Sequence, residues 1–329
     1  MGLAMDLVNG AGQASRLSVA VLLPAYNEAA AIAQVIADFR AALPDAAIYV
    51  YDNNSRDETC AIARAHGAIV RREPRQGKGH VVRRMFADIE ADVYIMCDAD
   101  DTYEAAAAPD MLRRLLDEGL DMVVGARAAV SETAYRPAHE FGNWLLTGLV
   151  RTIFGDVFRD MLSGYRVFSR RFVKSFPVMA GGFEIETELT IHALELEMPV
   201  AEQRTRFQDR PAGSVSKLNT IRDGVRILWT ILALLKQERP MPLFGLIGAA
   251  LMLLSLGAAW PVVMEYLATG LVPRLPTAVL ATGLMLLGWF ALFSGLILDT
   301  VTRGRQEAKR LRYLAFPGTH AWQGAGEEG

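Results

Sequence analysis

Two long stretches without a charged side chain limit what this chain can fold into. From Pro240 to Met264, and again from Leu275 to Leu298, there is no Asp, Glu, Lys or Arg. A bilayer core of roughly 30 Å is crossed by about 20 helical residues, so each stretch is long enough to span. The other reading, a pair of buried helices in a soluble core, is disfavoured because such helices seldom run this far without a charge. The link from Glu265 to Arg274 is short and makes the pair a hairpin. Basic residues flank it on both outer sides. Arg222, Arg226, Lys236 and Arg239 precede it, Arg303, Arg305, Lys309, Arg310 and Arg312 follow, and the link holds Arg274 alone. The positive-inside rule then places both ends in the cytoplasm.

The apolar share of the 329 residues, 52%, is high because of these runs, and the net charge of −3 gives no reason to expect a nucleic-acid partner. The N-terminus lacks the basic, apolar and small-residue succession of a signal peptide. Cys60 and Cys97 are far apart and the five His are scattered, so neither a disulfide framework nor a zinc or His metal cluster is readable.

The first 130 residues alternate between strand and helix patterns. Strands are expected over 18–28, 47–55, 68–73, 92–98 and 121–127, with helices over 30–43, 57–67, 79–91 and 109–119. Pro109 opens the last helix, and Gly67 and Gly119 close two of them. Strand–helix alternation with short links implies a mostly parallel sheet covered on both faces. In such sheets ligands bind at the carboxyl ends of the strands. Polar residues fall at those ends: Asn27 and Glu28, then Asp52, Asn53 and Asn54, then Asp98 and Asp100. Asp, Asn and Ser also make turns and caps, and for Asn54 and Ser55 that reading stands equally. Asp98 and Asp100, one residue apart, can both reach a hard cation through oxygen. Mg²⁺ or Mn²⁺ commonly takes one or two carboxylates and completes its shell with water and phosphate. Residues 72–84, "REPRQGKGHVVRR", set glycines around Lys78 and suit a flexible basic loop near a diphosphate. Neither the G-x-x-x-x-G-K-[ST] loop nor the dinucleotide G-x-G-x-x-G spacing is present.

The segments "LLPAYNE", "YDNNSRDET", "QGKG", "CDADD", "DMLSGYRVFSR", "FEIETEL" and "DRPAGSVSKL" follow one another in the order found in family 2 glycosyltransferases. Residues 18–239 with the hairpin resemble the polyprenyl-phosphate (dolichyl-phosphate) sugar synthases of that family. The resemblance implies an α/β fold of the GT-A type, a nucleotide-sugar donor, a divalent metal and a lipid-phosphate acceptor. It assigns Pro24, Ala25, Tyr26, Asn27 and Glu28 to a loop gripping the nucleotide, and Asp52, with Asn53 beside it, to the base. Lys78 goes to the diphosphate, and Asp98, Ala99 and Asp100 to ribose and metal. Arg127 is expected at the acceptor phosphate and Asp160, Ser163, Gly164 and Arg166 beside the transferred sugar and acceptor. Arg210, Ser216 and Lys217 match a loop closing over the diphosphate. Asn53 stands where the family has a second carboxylate, and Asp101 and Thr102 follow the D-x-D pair where Leu and Gln or Ser are common. His139 and Asn143 take the places of an Arg and a Ser near the acceptor phosphate.

Some residues keep two readings. Glu184, Glu186 and Glu188 open a helix, where acidic groups suit the dipole, or contact the sugar. His139 caps a helix or meets the acceptor. Residues 219–236 carry an apolar stripe beside Arg222, Arg226 and Lys236, which fits core packing or, better, an interfacial helix. Residues 141–155 are apolar nearly all round and suit the membrane surface beside the entering lipid. The domain reading is a flexible 1–17, a GT-A domain over 18–218, an amphipathic helix over 219–239, a hairpin over 240–299 and a basic cytoplasmic tail over 300–329. The expected reaction is inverting transfer of a sugar to polyprenyl phosphate, catalysed by Arg127 and Asp160 at the cytoplasmic face of a bacterial inner membrane. A homo-oligomer, a tetramer by resemblance, fits the family. A processive polysaccharide synthase of the same fold is the alternative, disfavoured by the missing Gln-x-x-Arg-Trp motif and by only two spans. A non-catalytic membrane scaffold is another, disfavoured by the intact D-x-D pair, Arg127 and Lys217.

Overall fold

The structure, a computed structural model, describes residues 6–8, 14–129, 158, 160–177, 184–208, 236 and 240–318. Within the segment read as a flexible N-terminus, β1 (Asp6–Val8) and β2 (Ala14–Arg16) pair as an antiparallel ribbon. Then follow β3 (Val19–Ala25), α1 (Ile32–Ala42), β4 (Ala47–Asp52), α2 (Thr59–Ala65), β5 (Ile69–Arg72), α3 (Lys78–Asp88) and β6 (Val93–Met96). The chain continues through α4 (Ala108–Asp117), β7 (Met122–Ala129), β8 (Arg166–Ser169), α5 (Arg170–Ser175), α6 (Ile185–Glu195) and β9 (Val200–Phe207).

Seven strands form one sheet in the order β5-β4-β3-β6-β8-β7-β9. Every neighbouring pair is parallel except those made by β8, which runs against β6 and β7. The mostly parallel α/β sheet expected from the sequence is therefore present, with one reversed strand. Side chains alternate across it with the period of two that a strand imposes. Val21 and Leu23 face the cluster that holds Ile36, Phe39 and Leu115, while Leu22 faces the one that holds Val82, Phe86 and Phe172. Helix α1 buries Ile32, Val35, Ile36 and Phe39, and α4 buries Met111, Leu112, Leu115 and Leu116. These i, i+3, i+4 sets are the stripes that an amphipathic helix turns to a core. Each such side chain contributes about 1.5–3 kcal/mol by leaving water. Gly67 and Gly119 follow α2 and α4 at φ +77° and +63°, the left-handed stop the sequence signals.

The second compact unit, residues 225–308, holds α7 (Pro240–Thr269) and most of α8 (Leu275–Leu314). Both helices are long and apolar enough to cross a bilayer, and only 17% of each apolar window is buried. A core helix would be mostly covered, whereas Leu246, Trp260, Phe290 and Ile297 here are largely exposed. The helices meet along small residues. A Cβ on Gly248 would lie 2.8 Å from the Gly288 carbonyl oxygen, and Ser255 Oγ donates to the Ala281 carbonyl at 2.7 Å. Close backbone approach and interhelical hydrogen bonds are the means by which helices associate in lipid.

Helix α8 corrects the reading of 300–329 as a basic tail. It runs unbroken to Leu314, with Arg303 held by Asp299 one turn back at 3.0 Å, and residues from Lys309 onward belong to the catalytic unit. Lys309 Nζ meets the buried Glu195 at 2.5 Å, and the Tyr313 hydroxyl donates to Asp121 at 2.8 Å. Nearby His192, wholly buried against Phe172 and Phe176, is kept neutral. Burial first, and then the Lys309 charge, push its pKa down to about 3.

Candidate active site

The carboxyl ends of β3, β4 and β6 present the polar clusters on one rim. Asn27, just after β3, takes a left-handed φ of +54°, tolerable for Asn. Its side chain accepts from the Arg56 backbone N–H at 2.8 Å, and its own N–H donates to Ser55 Oγ at 2.9 Å. The Glu28 N–H donates to Thr59 Oγ1 at 2.9 Å. The loop carrying Pro24 to Glu28 is thus pinned to the turn after β4. Asp52, the last residue of β4, is buried, accepts from the Ser55 N–H at 3.1 Å and has Arg72 Nε at 4.0 Å.

The side chain of Asn53, placed beside the base by resemblance, is engaged within the protein. Its amide donates to the carbonyls of Glu73 (3.0 Å) and Arg75 (2.7 Å) and accepts from the Gly77 N–H (2.7 Å) and Gln76 Nε2 (3.2 Å). That is the full capacity of an amide. A carboxylate there could not donate to the two carbonyls, so the departure from the family text is structural: it staples the loop leading to Lys78. Asn54 adds a bond to the Pro74 carbonyl at 2.9 Å.

Lys78 is the first residue of α3, and its ammonium is buried rather than on a mobile basic loop. It pairs with Asp98 Oδ1 and, at 2.5 Å, with Glu186 Oε1 on α6. Burial alone would lower its pKa; the charges of Asp98 and then Glu186 outweigh that and hold it well above the ordinary lysine value. Asp98 keeps partial exposure, with 29% of its side chain accessible, and no described residue donates to its Oδ2. Asp100 is buried, its Oδ1 accepting from Thr102 Oγ1 at 2.6 Å and, more weakly, from the Thr102 N–H at 3.3 Å. Asp101 adopts φ +57°, which turns the chain sharply after the pair. Among the described residues no three His, Cys, Asp or Glu side chains converge as a metal cage. The donor set nevertheless fits Mg²⁺ or Mn²⁺, which accept one or two carboxylates and take their other ligands from phosphate and water.

The turn from Asp160 to Gly164 ties the Asp98 end of the rim to the Arg127 end. At Gly164 a Cβ would lie 2.8 Å from Asp98 Cγ and 2.9 Å from its Oδ1. At the other end Asp160 receives Arg127 through Nε and Nη2, each at 2.7 Å, and through the Arg127 N–H at 3.1 Å. Burial would raise the Asp160 pKa, but the hydrogen bonds and charge of Arg127 hold it below the usual carboxylate range. Arg127 lies inside β7, opposite Thr205 of β9, and its guanidinium stands 5.5 Å from the Phe207 ring. Ala99 is buried beneath the pair and Tyr26 is half-buried.

Two residues expected at the acceptor phosphate face inward instead. Arg166 is fully buried and donates to the carbonyls of Ser163 (2.9 Å) and Met161 (2.5 Å) and to Thr190 Oγ1 (2.9 Å). Burial pushes its pKa down to about 10. Ser163 Oγ donates to the Gly125 carbonyl at 2.5 Å. Both are staples of the 160–164 turn, because an orphaned buried guanidinium would cost several kcal/mol. His139, Asn143, Arg210, Ser216 and Lys217, with residues 141–155 and the 219–239 helix apart from Lys236, lie outside the described residues. Glu186 is the residue whose place the sequence left open; "FEIETEL" marked it, but only the fold brings it to Lys78.

Gly164→Ala should separate folding from function. The added methyl meets the end of a side chain, which can move, so the melting temperature should stay within a few degrees of wild type. Asp98 would swing away from Lys78, and glycosyl transfer should fall by roughly ten- to a hundredfold, the usual cost of disturbing a metal site's surroundings. Wild-type turnover in the variant would show that Asp98 need not stay where it is.

Residues 20–175 match the model of the family described as glycosyl transferase family 2. The glycosyltransferase AglJ of Haloferax volcanii is 34% identical over 300 residues, covering 90% of this chain and 98% of that protein. A dolichyl-phosphate hexose transferase of the same organism is 28% identical over 67% of this chain and 95% of its own length. Among solved structures, Mycobacterium tuberculosis glucosyl-3-phosphoglycerate synthase in complex with Mn²⁺, UDP-glucose and phosphoglyceric acid aligns with a TM-score of 0.54 at 25% identity, covering 67% of this chain and 79% of that one. With a seven-stranded GT-A-like sheet, a D-x-D pair on its rim and a relative matched over 90% of this chain's length, the chain belongs to glycosyltransferase family 2.

Proposed function

We propose that this glycosyltransferase moves a sugar from a UDP- or GDP-linked donor onto polyprenyl phosphate in the membrane, with inversion at the anomeric carbon. The observation that carries the reading is the joining, in one chain, of a D-x-D rim to two long apolar helices whose large side chains are mostly exposed. A relative named for dolichyl-phosphate hexose transfer and a neighbour solved with Mn²⁺ and UDP-glucose support the acceptor and the donor class. An acceptor that never leaves the bilayer makes a membrane hairpin useful to the enzyme. The basic flanks favour a cytoplasmic site.

A phosphate monoester carries about −1.5 to −2 charge near pH 7, so it attacks without a strong base. The task of the protein is to bring that anion to another anion. Arg127, braced by Asp160, would receive the lipid phosphate. Asp98 and Asp100 would hold Mg²⁺ or Mn²⁺, which when bound stabilises charge on the departing diphosphate. Lys78 adds a fixed positive charge beside Asp98, and Asp52 with the 24–28 loop would seat the nucleoside. Asp160 is spent on Arg127, which favours an orienting role over that of a base.

The test is a panel of radiolabelled UDP- and GDP-sugars offered to the purified full chain with polyprenyl phosphate, followed by organic extraction. One nucleotide sugar should place label in the organic phase, dependent on Mg²⁺ or Mn²⁺ and abolished by EDTA. Label in a water-soluble polymer, or in no lipid product from any donor, would refute the reading.

A further inference from the structure

Of the three acidic residues at the start of α6, Glu184 and Glu188 stay partly exposed while Glu186 is 5% exposed. An acidic group that serves only the helix dipole can remain in water. Burying a carboxylate costs several kcal/mol unless it is paired, so the partner of Glu186 is informative. That partner is the Lys78 ammonium at 2.5 Å, which is shared with Asp98 of the D-x-D pair. Three charges in a row thus connect α6, α3 and the end of β6.

We propose that Glu186 is a positioning residue of the donor site: it anchors Lys78 so that the ammonium engages Asp98 through Oδ1 and leaves Oδ2 to a divalent cation arriving with the donor diphosphate. The inference rests on the donor-site reading above. An ammonium whose sole partner was Asp98 would close onto that carboxylate and compete with the cation for both oxygens. Shared between two carboxylates, one positive charge leaves the cluster net negative, and Asp100 adds to it. Lysine suits this place because it is a compact charge with three donors, and the described residues supply two acceptors. The Asn53 staple fixes the backbone at Gly77, so the lysine enters from a rigid loop. Direct contact between Glu186 and a sugar hydroxyl is disfavoured by its burial and by its engagement with Lys78.

The full-length protein in detergent is titrated with Mn²⁺, followed by electron paramagnetic resonance, alone and with UDP or GDP. Wild-type protein that binds no Mn²⁺ with either nucleotide overturns the donor-site reading and this inference with it. Given wild-type binding, Glu186→Gln should weaken Mn²⁺ by roughly ten- to a hundredfold, as loss of an outer partner of a metal ligand does. In a Lys78→Met background the same change should cost no more than about threefold, because the residue through which Glu186 acts is gone. An equal loss in both backgrounds, or none in either, overturns the inference. Should Glu186→Gln not fold, Lys78→Met alone decides. Mn²⁺ without nucleotide should bind more tightly, because the ammonium no longer shares Asp98; unchanged or weaker binding refutes the sharing.

Discussion

Lys309→Met is expected to lower the stability of the catalytic unit by about 3–5 kcal/mol, the usual cost of leaving a buried charge without its partner. The Glu195 side chain is fully buried, Lys309 meets its Oε2 at 2.5 Å, and its Oε1 has no hydrogen-bond partner among the described residues. Asp121, equally buried, is better provided. It receives Ser169 Oγ (2.6 Å), Arg171 Nε and Nη2 (2.5 and 2.7 Å) and the Tyr313 hydroxyl (2.8 Å). Losing one of those four, as in Tyr313→Phe, should therefore cost only about 1 kcal/mol. Methionine keeps the length of lysine and removes the charge, so packing is a small part of the difference. At about 2–4 °C per kcal/mol for a unit of this size, the melting temperature in detergent should fall by roughly 10 °C. Adding Glu195→Leu should restore most of it, since an apolar pair can replace a buried ion pair at little cost. A chain cut at residue 239 lacks both Lys309 and Tyr313 and should lose at least as much. An unchanged melting temperature in Lys309→Met would mean that Glu195 does not depend on this lysine.

That contact was not legible in the sequence. Arg303 to Arg312 read as a flank because charge next to an apolar run has a ready explanation in membrane topology. Nothing local distinguishes a lysine bound for solvent from one bound for a carboxylate 114 positions earlier. What was legible follows short-range rules. Periods of two and 3.6 placed β3, β4, α1 and α4, and Pro109, Gly67 and Gly119 marked ends. The rim carrying Asn27, Asp52 and Asp98 followed from strand order alone. Arg166 shows where pattern fails. A motif says that an arginine is needed, but not whether it faces the ligand or the core, and its three bonds to Ser163, Met161 and Thr190 depend on β8 running antiparallel between β6 and β7. Asn53 reads as a weakened nucleotide contact until the Glu73–Gly77 loop is seen folded over it. Lys78 is of the same kind: a Gly-flanked lysine suggested mobility, and two carboxylates distant in sequence bury it.

Arg127→Lys should reduce acceptor efficiency by roughly ten- to a hundredfold, and donor binding should scarcely change. The guanidinium holds Asp160 through a two-pronged contact, with both distances at 2.7 Å. This fixes the plane of the guanidinium, and a planar, fixed fork is what a phosphate with paired oxygens needs. Lysine would keep the charge, and could keep one bond to Asp160, so the buried carboxylate retains a counter-ion and the fold survives. The paired geometry is lost. A charge-assisted hydrogen bond is worth on the order of 1.5–3 kcal/mol, which gives the stated range in kcat/KM for the lipid. Arg127→Ala would be a poorer test, since it strands Asp160, which is 8% exposed, and confounds stability with function. Calorimetry with Mn²⁺ and the nucleotide sugar, without lipid, reads the donor site separately. There the Asp98 end of the rim is supported by Lys78, Glu186 and Gly164, none of which hydrogen-bonds Arg127 among the contacts described. Loss of nucleotide-sugar binding with lipid dependence intact would place Arg127 at the donor diphosphate. The 160–164 turn would then connect two parts of one site rather than donor to acceptor.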